Sequence, residues 1–405
     1  MQWAIYALVV LAALPAFAGD EARRVEPDLT LHEWGTFTSV AGEDGSAIEW
    51  DTLGPKNDLP KFVIDFGYRG FKWRLPGTVR METPVMYFYT PREMTVSVKV
   101  AFPKGVITEW YPEARSQVYQ RDRSGASWRL LPANLNGINT SMFNLKGAIE
   151  WKDVKIEPET SPQLPMEGSG SRYYAARETD SAPLGVGDQH EKFLFYRGVA
   201  RLQVPISARV LADGDITVEN RGSGQVPGVI LFENYAGRVG YRNVGNLEQS
   251  VTLGSLALND SLEDLKSELE LLLVAQGLFP KEAHAMVETW RDSWFEEGSR
   301  LIYILPAHAV NAMLPLDVDP APAARVRVFV GRVELITPET KQAVEAAVAG
   351  CDRGTIERYR RFLDPILRRM YGPSPSKADE IELSLADPQV PAAGSACRLA
   401  QVAHN

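Results

Sequence analysis

Cysteine is nearly missing: 405 residues contain two, Cys351 and Cys397, both near the end of the chain. Two thiols are too few for a thiolate zinc centre, which takes four ligands. Joined to each other they would close a loop of about 47 residues, worth about 4 kcal/mol in the chain-entropy view of a cross-link. A Cys351–Cys397 disulfide is the state expected in an oxidising compartment, two unpaired thiols being the alternative. Also missing are the His-Glu-x-x-His helix of zinc peptidases, the Gly-x-Ser-x-Gly elbow, the phosphate-binding P-loop and any paired Cys-x-x-Cys. None of the reactions that those motifs organise is signalled. Positive charge is short too. Lys and Arg number 43 against 52 Asp and Glu, a formal charge of -9, and an acidic surface repels nucleic acid and anionic lipid.

Long apolar runs are limited to one. From Ala4 to Leu14 every side chain is apolar, Pro15 breaks the run, and Ala16-Phe17-Ala18 forms an A-x-A cleavage site. Residues 1–18 therefore read as a secretory signal, and the destination as periplasmic or extracellular. The run is shorter than the ~20 residues that span a bilayer, although the lack of a Lys or Arg before it leaves retention as an anchor open. No later segment is long enough to be transmembrane.

What is present is β-structure first and helices later. Alternating or short apolar runs cut by turns recur at Val85–Tyr89, Met94–Phe102, Trp128–Leu131, Ala148–Ile156, Phe193–Tyr196, Val199–Leu211, Ile216–Glu219 and Val229–Phe232, the spacing of a sandwich. Asp213-Gly214 and Pro103-Lys104-Gly105 read as turns. Glu157 to Gly187, rich in Pro, Gly, Ser and charge, reads as a long surface loop or a substrate-facing flap. Ser261 caps a helix with Leu262, Leu265, Leu269 and Leu272 on one stripe. Pro280 opens a second helix with Ala283, Met286 or Val287, Trp290 and Trp294 on a core-facing side. Strand character returns at Arg300–Leu305 and Arg325–Leu335, and Thr337-Pro338-Glu339 starts another helix. A last helix runs from about Thr355 to Tyr371 with a kink expected at Pro365. The expected fold is α+β: a β-rich, sandwich-like part over 19–250, a helix-bearing part over 251–372 and a polar tail over 373–405.

The most unusual string is Leu31-His32-Glu33-Trp34-Gly35-Thr36-Phe37. Alternation puts His32 and Trp34 on one face and Glu33 with Leu29, Leu31 and Phe37 on the other, unless Gly35 marks a bulge. On an apolar face Glu33 is either a general acid or base with a raised pKa or a carboxylate bonded to backbone or Arg. His32 and His190, brought together with a carboxylate, would make a site for a divalent metal. His284 and Glu288 are one helical turn apart, a metal-capable spacing that more simply makes a solvated pair. Glu82 and Glu296 lie near aromatic residues, and two such acids across a cleft suit glycoside hydrolysis; Arg80 and Arg300 nearby offer them ion pairs instead. Trp34, Trp110 and Tyr111 are candidate platforms for a sugar, with Trp110-Tyr111 the best exposed guess. Gly222-Ser223-Gly224 is a turn, and His308 and His404 signal nothing specific.

The opening His32 to Gly42 resembles a family of uncharacterised exported bacterial proteins with a HEWGTFTSVAG-type signature. Leu59-Pro60-Lys61-Phe62-Val63, Met81-Glu82-Thr83-Pro84-Val85, Trp294-Phe295-Glu296-Glu297-Gly298 and Gly331-Arg332-Val333-Glu334 are similar to further blocks of that family. The resemblance covers most of the chain after the signal and implies export; it assigns no activity, cofactor or site residue. Two functions fit these readings. One is a binding or assembly module for a glycan or an extracytoplasmic protein, favoured because no catalytic constellation is complete. The other is an extracytoplasmic hydrolase of glycan or peptide using Glu33, Glu82 and Glu296, with or without a His-bound metal.

Overall fold

The computed structural model describes residues 25–52, 59–65, 76–122, 124, 126–131, 144–168, 170–350 and 352–371. The signal expected over residues 1–18, the expected Cys351–Cys397 pair and the expected polar tail over 373–405 fall outside the described residues.

The Val25–Val40 strand organises the molecule. Ten of its last eleven residues are buried, because both of its faces are covered and both of its edges are paired. On one edge it runs parallel to Ala321–Leu335, with Leu31 opposite Arg325 and Thr38 opposite Arg332. On the other it runs antiparallel to Val79–Tyr89. Nine strands share this sheet, in the order Arg238–Leu247, Val226–Tyr235, Gly298–Ile304, Ala321–Leu335, Val25–Val40, Val79–Tyr89, Leu194–Ala200, Gly105–Tyr111 and Ile64–Asp65. Strands from both sides of residue 250 lie in it, so the division expected there is not marked by any break in the sheet.

A seven-stranded sheet built around Leu145–Ile156 and Met94–Phe102, a two-stranded sheet of Trp50–Asp51 and Pro76–Gly77, and a three-stranded sheet of Ile206–Val210, Ile216–Asn220 and Ser250–Leu253 make up the rest of the described β part. The Asp213-Gly214 turn joins the first two of these three strands, with Val210 opposite Ile216, and Gly214 takes the positive φ that such a turn needs. Side chains of alternate parity divide the nine-stranded sheet between two cores. Leu29, Leu31, Phe37, Phe88 and Tyr303 join Val98, Ile149 and Trp151 between the sheets. Trp34, Tyr87, Phe195, Ile302 and Val328 face the helices. This is the period-2 alternation of a strand covered on both sides.

Helices α1 (Leu262–Ala275) and α2 (Pro280–Trp294) cover the second face. In α1 the buried positions are Leu265, Leu269 and Leu273, one residue past the Leu272 of the expected stripe. In α2, Ala283, Met286, Val287, Trp290 and Trp294 are all buried, as the 3.6-residue pattern requires. The Ser261 side chain accepts from the Asp264 N–H at 3.3 Å. Replacing Ser261 by Ala is expected to lower stability by about 1 kcal/mol, read as a shift of the urea midpoint at constant slope. The shorter α3 (Ala307–Met313) follows, and then α4 (Pro338–Gly350), α5 (Arg353–Arg358) and α6 (Arg360–Tyr371). These last three pack on Val40 and Trp50 in a third core. The expected single last helix is parted at Tyr359 rather than kinked at Pro365, which lies inside α6. The break sits where the Tyr359 hydroxyl reaches Glu297 at 3.2 Å and Arg361 turns in to Glu334 at 2.6 Å.

One irregularity lies in the middle of the sheet. The pairing of Val25–Val40 with Val79–Tyr89 shifts between Trp34 and Thr36, where Thr83 and Pro84 oppose the single Gly35. Thr83 has φ of +48°, rare for a β-branched residue. A Cβ on Gly35 would lie 3.0 Å from the Pro84 Cα, so any larger residue would press on the opposite strand at the bulge. The bulge does not re-aim His32 and Glu33, which stay on opposite faces.

Candidate functional site

His32 points at the start of α2. Its Nδ1 lies 2.7 Å from Glu282 Oε2, and that carboxylate also accepts from the Tyr89 hydroxyl and the Phe279 N–H, both at 2.8 Å. Phe279 covers the imidazole with ring centroids 4.5 Å apart, and Tyr89 meets it edge-on at 5.3 Å. Glu282 is fully buried; burial and its negative charge push the Tyr89 hydroxyl far above its ordinary pKa. Sequence reasoning missed Glu282. Its signal was its place three residues after Phe279 with Pro280 between, where a Glu side chain folds back on the N-cap N–H.

On the opposite face Glu33, fully buried, pairs with Arg327, directly across the parallel register, and accepts from the Tyr196 hydroxyl at 2.5 Å. Arg327 in turn donates to Asn311 at 2.8 Å. Glu33 is thus held by an arginine, the second of the two readings its position allowed.

Glu82 and Glu296 converge on one guanidinium from different elements. Arg332 donates to Glu296 at 2.9 Å and to Ser293 Oγ, and it feels the charge of Glu82, which itself lies 3.7 Å from Arg80. Beneath them is Glu334, fully buried, which accepts from Arg300 at 3.1 Å, from Arg361 at 2.6 Å and from Arg332. Burial alone would raise the Glu334 pKa, but Arg300, Arg332 and Arg361 outweigh it and hold the carboxyl well below the usual range. The two acids expected to face each other across a cleft are tied to arginines instead.

The histidines are not brought together. His32 is enclosed by Phe279, Tyr89 and Glu282. His190 lies on the Gln189–Glu191 strand of the seven-stranded sheet, 3.8 Å from Glu157, beyond hydrogen-bond reach. Among the described residues no group of three His, Cys, Asp or Glu could hold a metal ion. His284 pairs with Glu270 on α1 at 2.8 Å and Glu288 with Arg291 at 2.9 Å, so the i,i+4 spacing makes no pair of its own.

The aromatic platforms are internal. Trp34 is fully buried, and Trp110 and Tyr111 are 7% and 4% exposed. The Gly105–Tyr111 strand runs between Leu194–Ala200 and Ile64–Asp65, which sends its two aromatics into the two opposite cores. Burial lifts the Tyr111 hydroxyl to about 12. Among the described residues the tryptophan at the surface is Trp128, 39% exposed beneath the Lys146 ammonium.

The Glu157–Gly187 stretch supplies the cavity. It contains a 3-10 helix, Arg172–Arg177, and a short strand, Leu184–Val186. It is pinned from below: Arg177 donates twice to fully buried Glu191, at 2.9 and 2.6 Å, and Tyr173 adds its hydroxyl at 3.1 Å. The Tyr87 hydroxyl meets Ala176 O at 2.7 Å. Above this anchor lies a pocket of about 360 Å³ whose polar wall is Thr160, Ser161, Thr179, Asp180, Ser181 and Lys192, with Pro158, Pro162 and Pro183 as its flat apolar surfaces. Lys192 Nζ donates to Ser181 O at 2.5 Å, and desolvation lowers its pKa. Thr179 and Ser181 exchange a hydrogen bond at 2.9 Å. Asp180 meets Lys281 at 2.5 Å, so the pocket is tied to the turn of α2 whose next residue, Glu282, holds His32.

No family model and no curated protein matches this chain. Among solved structures it is similar to the Fcho1 Mu homology domain of Danio rerio with bound Eps15 peptide, at 10% identity over 78% of this chain and 99% of that one. The TM-score is 0.29, a likeness too slight to bear on function. Among the described residues no helix is long and apolar enough to cross a membrane.

Proposed function

We propose that the protein is an exported, non-catalytic binding module that holds a glycan in the pocket lined by the Glu157–Gly187 loop. The observation that carries this reading is the lining: four hydroxyls, a carboxylate and an amine set among proline faces, a combination suited to a polyol with apolar C–H patches. The hydrolase alternative draws on Glu33, Glu82 and Glu296, and each of these has an arginine partner at or near contact distance. A carboxylate committed to a guanidinium is not free to meet the leaving oxygen of a glycosidic bond.

The test is a titration of the purified protein with oligosaccharides of differing composition, followed by nuclear magnetic resonance. A saturable site is expected, and Asp180→Ala is expected to weaken it about tenfold or more, the loss of one hydrogen bond to a charged group. Asp180 and its partner Lys281 are both exposed, so the variant should fold. Failure of every oligosaccharide to bind at millimolar concentration, or binding indifferent to Asp180, would remove the reading.

A further inference from the structure

A second cavity, of about 390 Å³, lies on another side of the molecule, where the Pro103-Lys104 turn, the segment from Leu202 to Pro205, the Arg221–Ser223 turn and α3 meet. It shares no lining residue with the loop pocket. Its floor is hydrocarbon. Leu202 and Val204 belong to the core between the sheets and Met313 packs against that core; Pro205, Ala309 and Ala312 continue the apolar wall.

Its rim is polar and carries charge of one sign. Ser223 Oγ and His308 Nε2 are 3.1 Å apart, joining two residues that are 85 positions apart and that sequence reading set aside as a turn and an unremarkable histidine. Lys104 and Arg221 stand on the same rim. Arg221 is engaged by Glu219 at 2.5 Å. Lys104 forms no ion pair among the described residues, while its carbonyl accepts the Arg201 N–H at 2.9 Å and fixes the turn that presents it. No acidic residue lines the cavity, in a chain whose formal charge is -9.

We propose that this cavity binds a small monocarboxylic acid with a hydrocarbon body, the chain lying over Leu202, Val204 and Met313 and the carboxylate meeting Lys104 and the Ser223 hydroxyl. The volume falls at the small end of the range for small-molecule sites, roughly 300–1,000 Å³. An apolar floor alone would take any hydrophobic group. The cationic, acid-free rim selects an anion at one end. The Ser223–His308 pair orients the serine hydroxyl and does not make it a nucleophile. In an activated pair the base is itself oriented by a third group, and among the described residues Ser223 is the one hydrogen-bond partner of the His308 ring.

The experiment titrates the full chain with sodium octanoate, 1-octanol and octylammonium, three probes with the same hydrocarbon and different heads, by calorimetry. Octanoate is expected to bind, octanol to bind about tenfold more weakly, and octylammonium weakest of the three. Lys104→Glu should weaken octanoate about tenfold or more and leave octanol unchanged. Ala312→Trp, which fills the mouth, should abolish both. Lys104 and Ala312 are exposed, so neither change should unfold the protein, and a thermal melt verifies this. The proposal is overturned if octanoate fails to bind at millimolar concentration, if the three heads bind alike, or if both variants leave its affinity unchanged. Turnover of 4-nitrophenyl octanoate that disappears in Ser223→Ala would equally overturn it, in favour of catalysis. Because the two cavities share no residue, loss of the glycan reading leaves this one standing, and the reverse.

Discussion

Glu334→Gln is expected to lower the free energy of unfolding by about 3–5 kcal/mol, the cost of removing one member of a buried ion network. Arg300, Arg332 and Arg361 all donate to this carboxylate, and Arg300 is fully buried. Without its charge they retain Glu296 and main-chain carbonyls, which cannot neutralise three guanidiniums. The exposed Glu339, five residues on, is the control: Glu339→Gln should stay within about 0.5 kcal/mol. The sign of the pH dependence follows from the depressed pKa of Glu334. The stability it contributes is complete above the unfolded-chain value of 4.5 and is lost as pH falls from there toward the folded value. The gap between wild type and Glu334→Gln in urea denaturation should therefore narrow as pH drops below about 4.5. A gap under about 1 kcal/mol at pH 7, or one that widens in acid, would show that the network does not hold this end of the sheet.

His32→Ala is expected to cost about 2–3 kcal/mol, since the hydrogen bond it removes is made to a fully buried carboxylate. Glu282 would keep the Tyr89 hydroxyl and the Phe279 N–H, which limits the loss. His32→Asn, whose amide can still donate toward Glu282, should recover part of it. The same variants separate two roles for the HEW string. If the protein is purified with a stoichiometric metal ion that His32→Ala releases, the histidine is a ligand and the structural account of it fails.

How far the sequence carried can be read along the Val25–Val40 strand. The opposite facing of His32 and Glu33 was legible because strand side chains alternate whatever the partner. So was the helical face of Ala283, Met286, Trp290 and Trp294, because its period is local. What each charged residue meets was not legible. Glu33 and Arg327 are 294 positions apart and meet through a parallel register, while His32 and Glu282, 250 apart, meet because α2 lies on the sheet, and neither arrangement leaves a local mark. Trp110 and Tyr111 were misjudged for a related reason: a Trp-Tyr pair looks half-exposed in a strand at a sheet edge, but this strand has a neighbour on either side. The loop was legible as a loop, and its turn-forming composition suggested either a flap or a surface excursion. The buried Glu191 beneath it, which anchors Arg177 and Tyr173 and so makes a pocket wall of it, carries no signature in a Gln-His-Glu-Lys string. Ser223 and His308 show the same limit, since neither has a meaning until the chain returns 85 residues later.

The parallel seam between Val25–Val40 and Ala321–Leu335 also governs when the protein can become itself. An early hairpin-like neighbour, Val79–Tyr89, is available soon after synthesis begins, but the other edge of the central strand stays bare until residue 335 has been made. Topologies that depend on such distant closure assemble slowly, and a bare, apolar edge invites wrong partners in the meantime. A polypeptide laid out in this way concentrates its risk of misassembly in the interval before that last strand is available.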